Sequence, residues 1–82
     1  MSDGYTVKET LDCKGLYCPL PIVKMKKAIN GMAEGEVLRV LVTDRGSMRD
    51  FKSWCDKTGN RLLEASEEDG VFTYVIEKAG GS

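Results

Sequence analysis

The sequence contains no histidine. With histidine go the most frequent general base, the usual partner of a nucleophilic cysteine and the commonest metal ligand. Proline occurs only twice, as Pro19 and Pro21, so its rigidity is concentrated in the segment Tyr17-Cys18-Pro19-Leu20-Pro21. No apolar run approaches the roughly 20 residues that span a bilayer. The opening Met-Ser-Asp-Gly-Tyr lacks the basic-then-apolar order of a secretion signal. The expectation is a cytoplasmic protein without membrane attachment. A net charge of -1 and an aromatic share of 7% supply neither the basic excess nor the stacking residues of a nucleic-acid surface, so no direct nucleic-acid partner is expected.

What is present fits one folded unit. Eighty-two residues, 41% hydrophobic and 30% charged, suit a single compact domain over 1–82, with an ordered core of about 5–78. The three cysteines are an odd count for a disulfide framework, and a reducing compartment leaves them as thiols whose reactivity is the question. Cysteines without histidine do not complete a zinc site, and no metal or cofactor is expected.

Periodicity orders the chain. Tyr5 to Leu11 alternates imperfectly, as a first strand does. After Gly15, Pro19 can open a helix, since proline at the first helical position loses only an orphaned donor, and this puts Cys18 at the N-cap. Ile22, Met25, Ile29 and Met32 then recur at helical spacing until Gly31 and Gly35. Val37 to Val42 is the nearly continuous aliphatic run of a central strand. Asp44 to Ser47 is turn chemistry, and Met48, Phe51, Trp54, Cys55 and Thr58 mark a second helix closed by Gly59. Arg61 to Ser66 and Val71 to Glu77 read as strands, joined at Asp69-Gly70 by a hairpin signal. The fold class is therefore α/β, a two-layer βαβαββ sandwich with both helices on one face of a four-stranded mixed sheet. Strands one and two are parallel through a right-handed crossover, and the hairpin is antiparallel. Ala79 to Ser82 carry no pattern and are expected to fray.

A cysteine at a helix entrance meets unsatisfied amides and the positive end of the helix dipole, which favour the thiolate. A free thiol near pKa ~8.5 is only a few per cent ionised at neutral pH, and such a position can lower it. Pro19 and Pro21 donate nothing, so the amides of Leu20 and Ile22 are the nearest donors, and the shift is correspondingly mild. Cys18 and Leu20 each precede a proline and are pushed toward extended conformations, which predicts a rigid, irregular first turn. A small apolar role for Cys18 is the other reading that the residues allow. Lys14, Lys24, Lys26 and Lys27 stand with no acid between them; they either favour an anionic sulfur and an acidic partner or form a solvated helix face.

The stretch Leu11-Asp12-Cys13-Lys14-Gly15-Leu16-Tyr17-Cys18-Pro19-Leu20-Pro21 resembles the opening signature of the TusA/SirA-type sulfur-carrier family, with Cys-Pro-x-Pro at its core. The likeness continues through Thr43-Asp44-Arg45-Gly46-Ser47-Met48-Arg49-Asp50, Trp54-Cys55 and Gly59, roughly residues 5 to 78. Arg45 departs from it, standing where relatives tend to have proline. The resemblance implies the same βαβαββ fold, like the C-terminal domain of a translation initiation factor. It also implies that Cys18 accepts sulfane sulfur as a persulfide and passes it on, in tRNA thiolation or sulfur-compound metabolism. The implied partners are a sulfur-donor protein, either a cysteine desulfurase or a rhodanese-like sulfurtransferase, and a cysteine-bearing acceptor.

Cys13 either packs or serves as an accessory, resolving thiol, and Cys55 shares the apolar face of the second helix and reads as core. Asp44 is a turn or cap residue and Arg49 a solvated one, unless the loops carrying them converge on Cys18 and help a partner dock. Pro19 and Pro21 complete the set of accessory candidates. Two other functions compete: a thiol redox or regulatory interaction protein using Cys13 and Cys18, and an RNA-binding module supported by fold analogy alone. A Gly-Gly thiocarboxylate carrier is a further possibility because of Gly80-Gly81, but Ser82 follows the pair and βαβαββ is not a ubiquitin-like order.

Overall fold

The computed structural model describes residues 6–17 and 19–79. Tyr5, Cys18 and Gly80-Gly81-Ser82 lie outside the described residues, and with them the expectations attached to each. The elements are β1 (Val7–Cys13), α1 (Leu20–Asn30), β2 (Val37–Val42), α2 (Ser47–Thr58), β3 (Arg61–Glu68) and β4 (Val71–Glu77). The βαβαββ order is as the periodicity predicts. The strands lie side by side as β1-β2-β4-β3, with β1 and β2 parallel and β4 antiparallel to both of its neighbours. This order follows from the two kinds of connection: a helical crossover brings β2 beside β1 in parallel, while a tight hairpin makes β3 and β4 an antiparallel pair. In that hairpin Asp69 and Gly70 take φ of 53° and 83°, the left-handed pair that a two-residue turn between twisted strands requires.

The two helices cover one face of the sheet. Leu38, Val40 and Val42 of β2 and Tyr74 and Ile76 of β4 meet Met25 and Ile29 of α1 and Phe51 and Cys55 of α2 in one buried cluster, with Cys13 at its edge strand. The alternate β2 position Arg39 is exposed, so the aliphatic run is interrupted on the face away from the helices. Phe51 stacks on Tyr74 with ring centroids 4.5 Å apart, and Phe72 continues the stack at 6.4 Å.

Boundaries move in ways that matter at one end of the sheet. β1 ends at Cys13, as the chain pattern places it, and its parallel register with β2 pairs Cys13 with Val42. Pro19, not Cys18, is the N-cap of α1. The Leu20 amide is taken first by the Tyr17 carbonyl, at 2.9 Å, and the helical ladder opens with Val23 N–H donating to Pro19 O at 3.1 Å. Cys18 is thus the residue before the cap. α2 begins a residue earlier than expected, at Ser47, and buries Ser47, Phe51 and Cys55. Met48, expected on that face, is 37% exposed. A serine is not scored as core by apolar periodicity, and here it is core only because its hydroxyl has a partner. β3 extends to Glu68, two residues past the expected end.

That partner is Tyr74, whose hydroxyl lies 2.7 Å from Ser47 Oγ in a buried pair. Burial raises the Tyr74 pKa, the Ser47 hydrogen bond opposes the rise, and Asp44 adds to it. Removing either hydroxyl alone strands the other in the core. Ser47→Ala and Tyr74→Phe are each expected to cost about 1–3 kcal/mol, whereas the double variant loses less than the sum of the two. Chemical denaturation of the four proteins measures the coupling, and strict additivity would show that the pair does not tie α2 to the sheet.

Candidate functional site

β1 and β2 are parallel, so both deliver their loops to the same end of the sheet. The β1–α1 loop leaves Cys13 through a tight turn closed by Leu16 N–H on the Cys13 carbonyl at 3.2 Å. Gly15 sits in it at φ 84°, a conformation that side chains resist. Asp12 Oδ1 holds the Lys14 amide at 3.0 Å. The Gly15 amide then donates across to Thr43 Oγ1 at 2.9 Å, which ties this loop to the β2–α2 loop. There Asp44 builds its own turn: Oδ1 accepts from Gly46 N–H at 3.1 Å, and its carbonyl accepts from Ser47 N–H at 3.1 Å.

The two helix entrances face each other across a crevice. Pro19, Pro21 and Ile22 form one bank, and Asp44, Ser47, Asp50 and Phe51 the other. The loops therefore converge, and Asp44 combines a turn role with a place beside the Pro19-Pro21 segment. Arg49 does not join it and lies with Lys52, Ser53, Asp56 and Lys57 along the exposed side of α2. Of the two first-turn donors, Leu20 is committed to Tyr17. Pro21, at the helix start, is buried in the core side of α1, so it anchors the turn mechanically as well as fixing its backbone.

Asp50 and the Ser47–Tyr74 pair escaped the sequence reading. A serine four residues before Phe51 and the alternation Phe72, Tyr74, Ile76 were the available signals. The pairing itself spans 27 positions and is set by packing.

The described thiols are Cys13 and Cys55, both free and buried. Cys13 is fully enclosed; burial raises its pKa, Lys24 pulls it down and Asp12 pushes it up. Cys55 is pushed to about 11, first by burial and then by Asp56. The thiolate is the reactive form, so neither competes as a nucleophile at neutral pH. In a disulfide-reagent titration, two of the three thiols are expected to stay silent until denaturant is added; rapid labelling of all three would contradict the burial.

The same shift has a sign for stability. Folded Cys55 keeps its proton above the ordinary thiol value of 9.0, so between that value and about 11 the unfolded chain binds fewer protons than the native one. The contribution of Cys55 to stability is accordingly full below pH 9 and is lost as pH rises toward 11. Thermal melts across that window are expected to fall less steeply in Cys55→Ala than in the wild type.

Residues 9–78 match the family described as sulfurtransferase TusA. The chain belongs to the TusA family. A Neisseria meningitidis protein, which also goes under a sulfur-carrier name, is 56% identical over 69 residues, covering 84% of this chain and 93% of its own length. The sulfur carrier protein TusA of Allochromatium vinosum is 48% identical over 71 residues, 87% of this chain and 93% of its own. Among solved structures, a SirA-like protein from Desulfitobacterium hafniense superposes with a TM-score of 0.78 at 32% identity, covering 87% of this chain and 97% of that one. The SirA-like protein thus shares the two-helix, four-stranded architecture. Among the described residues, no helix is long and apolar enough to cross a membrane.

Proposed function

We propose that this TusA-family protein is a sulfur carrier that holds sulfane sulfur as a persulfide on Cys18 and relays it to a cysteine of a partner protein. One observation carries the assignment to Cys18. The family is one of sulfurtransferases, and the other two thiols are core residues whose pKa values are raised by burial.

The chemistry needs no cofactor. The Cys18 thiolate attacks the terminal sulfur of a donor persulfide, R–S–SH. The donor S–S bond breaks, R–S⁻ leaves, and Cys18–S–SH remains with the proton on the transferred sulfur. The second transfer repeats the exchange with a thiolate of the acceptor, so no net electrons are gained or lost and the carrier can cycle. A cysteine desulfurase or a rhodanese-like sulfurtransferase fits the donor role, and a cysteine-bearing protein in tRNA thiolation or sulfur-compound metabolism fits the acceptor. The complete burial of Cys13 disfavours the reading in which Cys13 and Cys18 form a redox pair, since a resolving thiol must be reachable.

Intact-mass measurement of the reduced protein after exposure to a charged desulfurase, or to a rhodanese-type enzyme with thiosulfate, tests the proposal. One added sulfur, removed by dithiothreitol, is the expected result. No adduct with any donor, inorganic polysulfide included, would sink it.

A further inference from the structure

Among the described residues, four large apolar side chains are markedly exposed: Tyr17 at 74%, Leu20 at 49%, Val23 at 44% and Met48 at 37%. A single exposed leucine needs no explanation. Three of these four, however, fall within seven residues that bracket Cys18. Leu20 and Val23 are three apart on α1 and so share a side, while Pro21, Met25 and Ile29 are the buried residues of that helix. Lys24 and Lys27, each four residues beyond one of the exposed pair, continue the outer side and are themselves exposed.

Charge is segregated along the same line. Residues 13–33 hold Lys14, Lys24, Lys26 and Lys27 and no acid; of the 12 bases and 13 acids in the chain, the remainder therefore keeps eight bases and every acid. The carrier is positive around its reactive segment and negative elsewhere.

We infer that Tyr17, Leu20 and Val23, bordered by Lys24 and Lys27, form the face by which a sulfur-exchanging partner protein docks, and that the partner offers an apolar hollow rimmed by carboxylates. The inference rests on the carrier reading of Cys18 and adds the chemistry of the surface that must meet it. A small apolar centre within a charged rim is the anatomy of a transient protein interface. The lysines steer an acidic partner onto the segment that carries Cys18, and the acid-rich remainder of the chain is repelled by the same partner, so orientation is set before contact. A lipid surface fits less well, because the apolar stripe of α1 is already spent on the core and only three side chains remain to insert.

The test separates docking from thiol chemistry. Val23→Asp and the double variant Lys24→Glu/Lys27→Glu alter only exposed positions, and thermal melts establish that both remain folded. Loading of Cys18 is followed by intact mass with inorganic polysulfide, which requires no docking, and with two protein donors, a charged cysteine desulfurase and a thiosulfate-charged rhodanese-type enzyme. Polysulfide is expected to load both variants at the wild-type rate. Loading from a protein donor is expected to fall about tenfold or more in Val23→Asp, as for a truncated interface anchor. In the lysine variant it is expected to fall several-fold and to lose most of its salt dependence.

Wild-type rates from the protein donors in both variants would overturn the inference. So would loading of the wild type by polysulfide with neither protein donor active, or binding of the wild type to phosphatidylserine vesicles that Val23→Asp abolishes while protein loading is unchanged. Failure of polysulfide itself to load Cys18 is a different result, one that defeats the persulfide reading.

Discussion

With serine in place of Cys18, the protein is expected to take up no sulfur from any sulfane-sulfur donor, whereas Cys13→Ser and Cys55→Ser retain loading within about twofold of wild type, since a serine hydroxyl cannot form the reversible sulfur–sulfur bond on which the relay depends. The contrast among the three substitutions follows from their surroundings. Cys13 and Cys55 are buried, with Cys13 between Val42 of the neighbouring strand and the helices, so each of their serine variants buries a hydroxyl and is expected to cost stability more than loading. Intact mass before and after dithiothreitol, together with a melting curve for each variant, distinguishes the two effects. A sulfur adduct persisting in Cys18→Ser would move the carrier site to another thiol and force the redox reading with Cys13 back into view.

Truncating Phe51 is expected to be the most damaging core substitution. Its ring is fully enclosed, stacks on Tyr74 at 4.5 Å and lines the crevice between the two helix entrances. Phe51→Ala should cost about 3–5 kcal/mol through lost transfer energy and the cavity left behind. That is a large share of the roughly 5–15 kcal/mol that a domain possesses. For a chain of this size, the Tm is expected to drop by at least about 12 °C. Because Phe51 anchors the same end of α2 as Ser47, the variant should also lose the Ser47–Tyr74 coupling. Met48→Ala, one turn earlier and partly exposed, is expected to stay within about 0.5 kcal/mol of wild type. A Phe51→Ala protein destabilised by less than about 1 kcal/mol would mean that α2 is not held through this ring.

Much of the fold was legible in the chain. The 3, 4, 3 spacing of Ile22, Met25, Ile29 and Met32, the aliphatic run of β2 and the Asp69-Gly70 turn each demand one local structure, and together they allow one order of elements. The site was legible only along the chain. Pro19, Pro21 and the lysines stand near Cys18 in sequence and could be read there. Asp44, Asp50 and Ser47 come from a segment some 25 positions away, and neither their place opposite Pro19 and Pro21 nor the separation of Arg49 from them has a local signal.

The helix entrance shows where local reasoning failed. Proline at the first helical position is a sound expectation, and it assigned the cap to Cys18. The bond from Leu20 to the Tyr17 carbonyl and the burial of Pro21 place the cap at Pro19 instead, because the turn must also seat Pro21 against the core.

The sequence by itself determined the element order and the two-layer class and singled out the cysteine that precedes Pro19 as the candidate carrier, since periodicity, turn chemistry and motif spacing are properties of neighbours along the chain. Only the tertiary structure decided that β4 lies between β2 and β3, that Ser47 is buried against Tyr74, that Cys13 is enclosed, and that the two helix entrances share a crevice. Those outcomes depend on which distant surfaces exclude water together, and burial of that kind is fixed by packing across the whole domain.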